Sequence, residues 1–259
     1  MKKILAMLLA LTLASAFTAC GNDTNNGEDT TVAEDTTVAE DTTVAEDTTV
    51  EDEAAASVMT YDEYMAAAID DQVVIDAYVQ ATQSWWDNKI TVYAQDEDGA
   101  YFIYEMQCSE EDSAKLVPGT AIKVTGYKGA WEGEVEIMDA TFEFAGEETF
   151  IADPIDLTDK LGTDELINYQ NYLAAFNGMV VEKVEYKNGE PGDDIYVDLG
   201  FGGNTYSFCI ERYLTAPDTD VYAAVGALEV GDIVNVECFV YWYNGINPHI
   251  TAITVADEF

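Results

Sequence analysis

The chain has little of what most enzymes and nucleic-acid binders are built from: one histidine, four cysteines, and ten lysines and arginines against 51 aspartates and glutamates. A single histidine precludes a metal centre made of several imidazoles. His249 lies in Asn247-Pro248-His249-Ile250, away from any nucleophile motif, and is expected in a surface turn. The formal net charge of −41 repels phosphate backbones, because affinity for them comes from Lys and Arg neutralising phosphates, so no nucleic-acid partner is expected. No Gly-x-Ser-x-Gly, phosphate-binding glycine loop or dinucleotide fingerprint occurs, and Gly200-Phe201-Gly202-Gly203 reads as a turn between strands. Carboxylates are so numerous that naming any pair as glycosidase acid and base carries no information. Neither catalysis nor a cofactor is expected. No apolar run approaches the roughly 20 residues of a spanning helix.

What is present begins at the N-terminus. Lys2 and Lys3 precede an apolar run from Ile4 to Leu13, and small residues then lead to Ala19-Cys20-Gly21. This is the layout of a secretion signal. It resembles the signal of bacterial lipoproteins, and the resemblance implies that residues 1–19 are removed and that Cys20 is acylated. Anchoring would then be by lipid to the outer side of the cell membrane, and the style of the sequence leans towards a Gram-positive host. A single acyl chain holds a protein only marginally, so stable attachment needs the two or more chains that this modification supplies.

Behind Cys20, Glu-Asp-Thr-Thr-Val-Ala recurs from Glu28, Glu34 and Glu40, and once more in part from Glu46. One valine per six residues cannot form a core, so residues 20–57 are expected to be a disordered acidic linker. Residues 21–57 hold twelve carboxylates and no Lys or Arg. Self-repulsion extends such a segment towards a limit of about 120 Å.

The remaining 200 or so residues divide into two halves with one pattern, residues 58–148 and 163–259 around a linker at 149–162. A helix at Tyr61 to Ile69, opened by Thr60 and Glu63 as a capping box, precedes runs of alternating character at Val73 to Gln83, Lys89 to Gln95 and Ala100 to Met106. A short helix near Ser109 to Leu116 stops at Pro118-Gly119, and strands at Ala121 to Tyr127 and Glu134 to Phe144 complete the half. The second half repeats this with a helix at Asp164 to Leu173, strands at Gly178 to Tyr186, Asp194 to Leu199 and Thr205 to Arg212, a helical link over Pro217 to Leu228, and strands at Ile233 to Trp242 and Ile246 to Val255. Leu116 to Tyr127 aligns with Leu228 to Phe239.

The order strand-strand-strand-helix-strand-strand, given twice, resembles the OB-fold. The implied class is mainly β, with two tandem five-stranded Greek-key barrels carrying short helices. In such barrels ligands bind on strands two and three and in the loops joining strands one to two and four to five. Trp85 and Trp86 fall in the first of these loops and Trp131 in the second, with Tyr241, Trp242 and Tyr243 at the matching late loop of the second half. Adjacent residues on a strand point to opposite faces, so at least one of each aromatic pair is expected outside. Exposed rings beside carboxylates suit sugars or extended peptides. Two readings stand side by side: a binding module for glycans or peptides at a mouth built from Trp85, Trp86 and Trp131, or a structural docking subunit of an envelope-protein complex. In the latter the aromatics mediate protein contact; a plainer alternative has the three tryptophans plugging the barrel ends or forming the contact between the two barrels.

The acidic loops Asp96-Glu97-Asp98 and Pro191-Gly192-Asp193-Asp194 lack the spacing of a calcium loop, and no metal is expected. Alternation places Cys238 inward and Cys209 outward, while Cys108 has no partner within its half. A disulfide between Cys209 and Cys238 stays open as an alternative, while buried small hydrophobes account for all three.

Overall fold

The computed structural model describes residues 57–256. The signal, Cys20 and the acidic repeats lie outside the described residues.

Helix α1 (Tyr61–Ala66) starts as its sequence requires: Glu63 N–H donates to Thr60 Oγ1 at 3.3 Å, and Thr60 N–H donates to Glu63 Oε2 at 2.8 Å. The expected continuation to Ile69 does not form. Buried Lys128 instead gathers the carbonyls of Tyr64, Met65 and Ala67 with its ammonium, at 3.0, 2.7 and 2.9 Å. That cap ends the helix where a cation is favoured by the helix dipole.

Strands β1 (Gln72–Thr82), β2 (Lys89–Gln95), β3 (Ala100–Gln107), β4 (Thr120–Trp131) and β5 (Glu134–Thr149) close into a barrel of order β1-β2-β3-β5-β4, with α2 (Glu110–Ser113) between β3 and β4. All neighbours are antiparallel except β3 and β5, where Phe102 pairs with Glu136 and Ile103 with Ile137. Ile75, Val92, Ile103, Ile122, Val124 and Ile137 fill the interior.

After the short β6 (Ile155–Asp156), the second half builds the same ring from β7 (Leu173–Tyr186), β8 (Ile195–Phe201), β9 (Asn204–Ile210), β10 (Ile233–Phe239) and β11 (His249–Val255). The order β7-β8-β9-β11-β10 closes through β10 and β7, and β9 and β11 again run parallel. Helix α3 (Asp220–Gly226), capped by Thr219, occupies the place of α2. Phe176, Met179, Val197, Leu199, Phe208 and Val236 lie in its core. Both halves are therefore OB-fold-like Greek-key barrels.

One expected helix is absent. Asp164 to Leu173 forms only a 3-10 turn at Leu166–Tyr169. The backbone beyond it is drawn into sheet-like pairing: Asn171 N–H donates to the Val240 carbonyl at 2.9 Å, and Val240 N–H donates to that of Tyr172 at 3.0 Å. β7 accordingly begins at Leu173, five residues earlier than the alternation suggests.

The described residues fall within one compact unit, and β2 shows why. Ile90, Val92 and Ala94 face the first core, yet Thr91, Tyr93 and Gln95 on the opposite side are buried too. The second barrel covers that outer face. Tyr93 stacks on Phe239 with centroids 4.3 Å apart, and Phe102 meets Tyr241 edge-on at 5.2 Å. Around this apolar patch the β4–β5 hairpin is held by Gln170 Nε2 donating to the Gly133 carbonyl at 2.6 Å and Asn244 N–H to that of Glu132 at 2.7 Å.

Glu134 sits in the same seam, fully buried. Its Oε2 accepts from Trp242 N–H at 2.7 Å, while its Oε1 and the nearby Asn171 Oδ1 are both buried acceptors lacking a donor. A proton on Oε1 would relieve that oxygen of its unmet acceptor role. Burial pushes this carboxyl up to about 8, so the folded chain keeps that proton at neutral pH. In the unfolded chain the group ionises at an ordinary value of about 4.3. Between the two values the folded state binds more protons, so stability is fullest at low pH and falls as pH rises towards 8, by about 1.4 kcal/mol per unit. Glu134→Gln supplies a permanent donor for Asn171 and keeps an acceptor for Trp242. Thermal unfolding across pH 4 to 9 should show the variant with the higher Tm at pH 8 and a flatter decline, whereas a wild-type Tm that runs parallel to the variant's throughout would show that Glu134 titrates at an ordinary value in the fold.

Candidate functional site

The loop from β1 to β2 separates its two tryptophans by turning tightly. Asp87 and Asn88 both take left-handed backbone conformations, with φ of 48° and 61°, between reciprocal backbone bonds of Trp86 and Lys89 at 3.0 and 2.9 Å. Two consecutive positive φ values make this a two-residue hairpin turn of the kind Asp and Asn tolerate. Trp85 turns inward, packing on the first core and donating Nε1–H to the Cys108 carbonyl at 2.9 Å. Trp86 turns outward and is 78% exposed.

A second irregularity adds to the surface beside Trp86. Glu105, at φ 44°, marks a bulge where β3 slips against β2, and its N–H donates to Thr91 Oγ1 at 3.1 Å. Bulges re-aim side chains, and here Tyr104 and Glu105 are both exposed although adjacent. From the other barrel, the segment after β9 docks through Ser84 N–H donating to the Tyr213 carbonyl at 2.7 Å. It brings Arg212 and Tyr213, with the guanidinium 5.0 Å from the Tyr213 ring.

Together these groups line a cleft of about 680 Å³ that includes Trp86, Lys89, Tyr104, Glu105, Arg212 and Tyr213. Lys89 Nζ lies 2.7 Å from Glu105 Oε2, with both side chains about half exposed. An exposed pair of this kind is weak and yields readily to a competing anion. The cleft thus offers three open aromatic rings and two cations beside the carboxylates of Asp87 and Glu105, with Arg212 4.0 Å from Asp193, in a chain holding ten Lys and Arg in all.

The other expected residues lie elsewhere. Trp131 is 56% exposed at the end of β4 and does not line this cleft. Trp242 packs over Gly133, where a Cβ would come within 2.9 Å of its Cδ1. Tyr241 stacks on His249 at 4.2 Å, and Tyr243 remains exposed. His249 itself is buried, contrary to its expected place in a surface turn. Its Nδ1 is 2.5 Å from the Tyr93 hydroxyl, and burial lowers its pKa to about 3, leaving the ring neutral. The cysteines 108, 209 and 238 are free and buried; Cys238 belongs to the second core and Cys209 does not. Among the described residues no group of three His, Cys, Asp or Glu side chains is arranged to hold a metal ion. The carboxylate of Asp96 instead accepts from Asp98 and Gly99 N–H, and that of Asp194 is paired with Lys187 at 2.8 Å.

No protein-family model matches the chain, and no curated protein matches it in sequence. Solved structures do match. A murine DNA-binding protein bound to double-stranded DNA aligns over 71% of this chain and 97% of its own, at 12% identity and a TM-score of 0.36. The HINb domain of p204 aligns over 73% and 100%, at 11% identity and a TM-score of 0.34. A replication protein A heterotrimer bound to single-stranded DNA aligns over 73% and 50%, at 12% identity and a TM-score of 0.31.

Three expectations are corrected. The glycan or peptide mouth is not built as expected: Trp85 and Trp86 line one cleft, but Trp85 is turned onto the first core and Trp131 stands apart. A role for Tyr241 and Trp242 in docking an envelope-protein partner gives way to contact between the chain's own barrels. The exclusion of nucleic acid is corrected as well: net charge is a whole-chain sum that overlooks the gathering of Lys89 and Arg212 in one cleft.

The two tryptophans of the loop should separate by experiment. Trp85→Ala removes a packed ring and orphans the Cys108 carbonyl, and is expected to cost about 3 kcal/mol in denaturant unfolding. Trp86→Ala is expected to change stability by less than about 0.5 kcal/mol. Equal losses would mean that Trp86 is part of the core.

Proposed function

We propose that the cleft between the barrels binds a nucleobase together with its phosphate, presented by a short single strand or a free nucleotide. The observation that carries this reading is the gathering of Lys89 and Arg212 with the open rings of Trp86, Tyr104 and Tyr213. Base-on-ring stacking contributes about 1–3 kcal/mol per base and tolerates any base, because each has a π face. Arg also stacks while pairing with phosphate oxygens. The strongly acidic surroundings limit the ligand to what the cleft covers, since phosphates beyond it would meet carboxylates. Duplex DNA, with its closely spaced charge, fits least well.

We also propose that the chain is a non-catalytic, lipid-anchored protein tethered through Cys20 at the outer face of the membrane. Support comes from the Lys2-Lys3, apolar, Ala19-Cys20-Gly21 layout. No helix among the described residues is long and apolar enough to cross a membrane.

Titration of the full chain with a mononucleotide and with a short oligothymidylate, followed by tryptophan fluorescence, tests the cleft. Quenching is expected with both, is lost in Trp86→Ala, and falls with salt at a log-log slope no steeper than about −1.4, as two phosphate contacts to a single strand dictate. Saturation unchanged in Trp86→Ala, or no quenching by either ligand, would remove the reading.

A further inference from the structure

Next to the cleft, and sharing Gln83 and Tyr104 with it, is a second recess of about 490 Å³ whose chemistry is opposite. Phe102 and Tyr104 line it from β3, and Tyr196, Tyr241 and Tyr243 from the second barrel; neither Lys nor Arg is present. Phe102 is buried at its base, 5.2 Å from Tyr241 and 6.5 Å from Tyr104 between ring centroids, while Tyr104 and Tyr243 are exposed at its mouth. His249, stacked under Tyr241, is neutral and adds no positive charge.

Two carboxylates reach this recess, and they differ. Asp194 is engaged by Lys187 Nζ at 2.8 Å and by Arg212 N–H at 3.1 Å. Glu211 accepts only backbone N–H groups, from Tyr213 at 3.1 Å and Leu214 at 2.8 Å, both on Oε2, and makes no ion pair among the described residues. Burial raises its pKa, as expected of an anion for which no cation is provided. Ring faces are negative and attract cations, most strongly where water is displaced.

We propose that this recess binds an alkylammonium head group, with the ring faces surrounding the cation and Glu211 supplying the counter-charge. The recess shares Gln83 and Tyr104 with the nucleobase cleft but is otherwise lined by different residues, and the proposal does not rest on that reading. A neutral sugar would leave Glu211 without a counter-charge, and an anion would be repelled by Glu211 and Asp194.

Choline and its uncharged carbon isostere, 3,3-dimethylbutan-1-ol, differ only in replacement of the quaternary nitrogen by carbon. Titrated into the full chain by ligand-observed NMR and tyrosine fluorescence, choline is expected to saturate and the isostere to bind at least about tenfold more weakly. Tyr243→Leu keeps apolar surface at an exposed position but deletes a π face. It should weaken choline about five- to tenfold, and Trp86→Ala should leave choline binding unchanged. Equal affinity for the two compounds, no saturation by choline up to roughly 100 mM, or full choline affinity in Tyr243→Leu overturns the proposal.

Discussion

The stack of Tyr93 on Phe239 is the interaction on which the rest depends, because it turns two small barrels into one body. An OB-like barrel normally leaves the outer face of its second and third strands open, and that face is where its ligands sit. Here Tyr93 and Phe102 occupy that face and are buried under the second barrel. Burial of large aromatic rings supplies the greater part of the association, at roughly 25 cal/mol for each Å² of apolar surface removed from water. The polar contacts around it, from Gln170, Asn244 and Trp242, fix the register more than they add stability.

Covering the usual ligand face has a structural consequence. What stays open is the margin of that face, and the margin is lined by both barrels at once. On one side the loop carrying Trp86 meets Arg212 and Tyr213; on the other the bulged Tyr104 meets Tyr241 and Tyr243. Both cations lie at the Trp86 end beside Asp87 and Glu105, whereas the Tyr243 end carries Glu211 and Asp194 and no cation. Each end is assembled only when the seam is closed.

Much of the fold was legible in the sequence because its signals are local. Alternation over Lys89 to Gln95, the Thr60 and Glu63 capping box and the repeated Leu116 to Tyr127 pattern are periodicities and caps that need no partner to be read. The helix expected at Asp164 to Leu173 failed because a tertiary pairing with Val240 overrode local preference. His249 failed for a similar reason, since Asn-Pro-His reads as a surface turn until the first barrel is laid against it. The candidate site was legible only in part. Trp86 could be placed by its position in the loop, but Tyr104 depends on a bulge, and Arg212 and Tyr213 come from more than 100 residues away. Tyr241 and Trp242, expected at a ligand loop, pack in the seam, and Tyr241 also lines the recess beside it.

The most direct measurement of the central claim, a ligand cleft shared by the two barrels, is zero-length ultraviolet crosslinking of a short single-stranded oligonucleotide to the full chain, with the adducts located by mass spectrometry. Adducts on the peptide containing Trp86 and on that containing Tyr213 are predicted together. Adducts confined to one barrel, or found only at Trp131 or elsewhere, would contradict it.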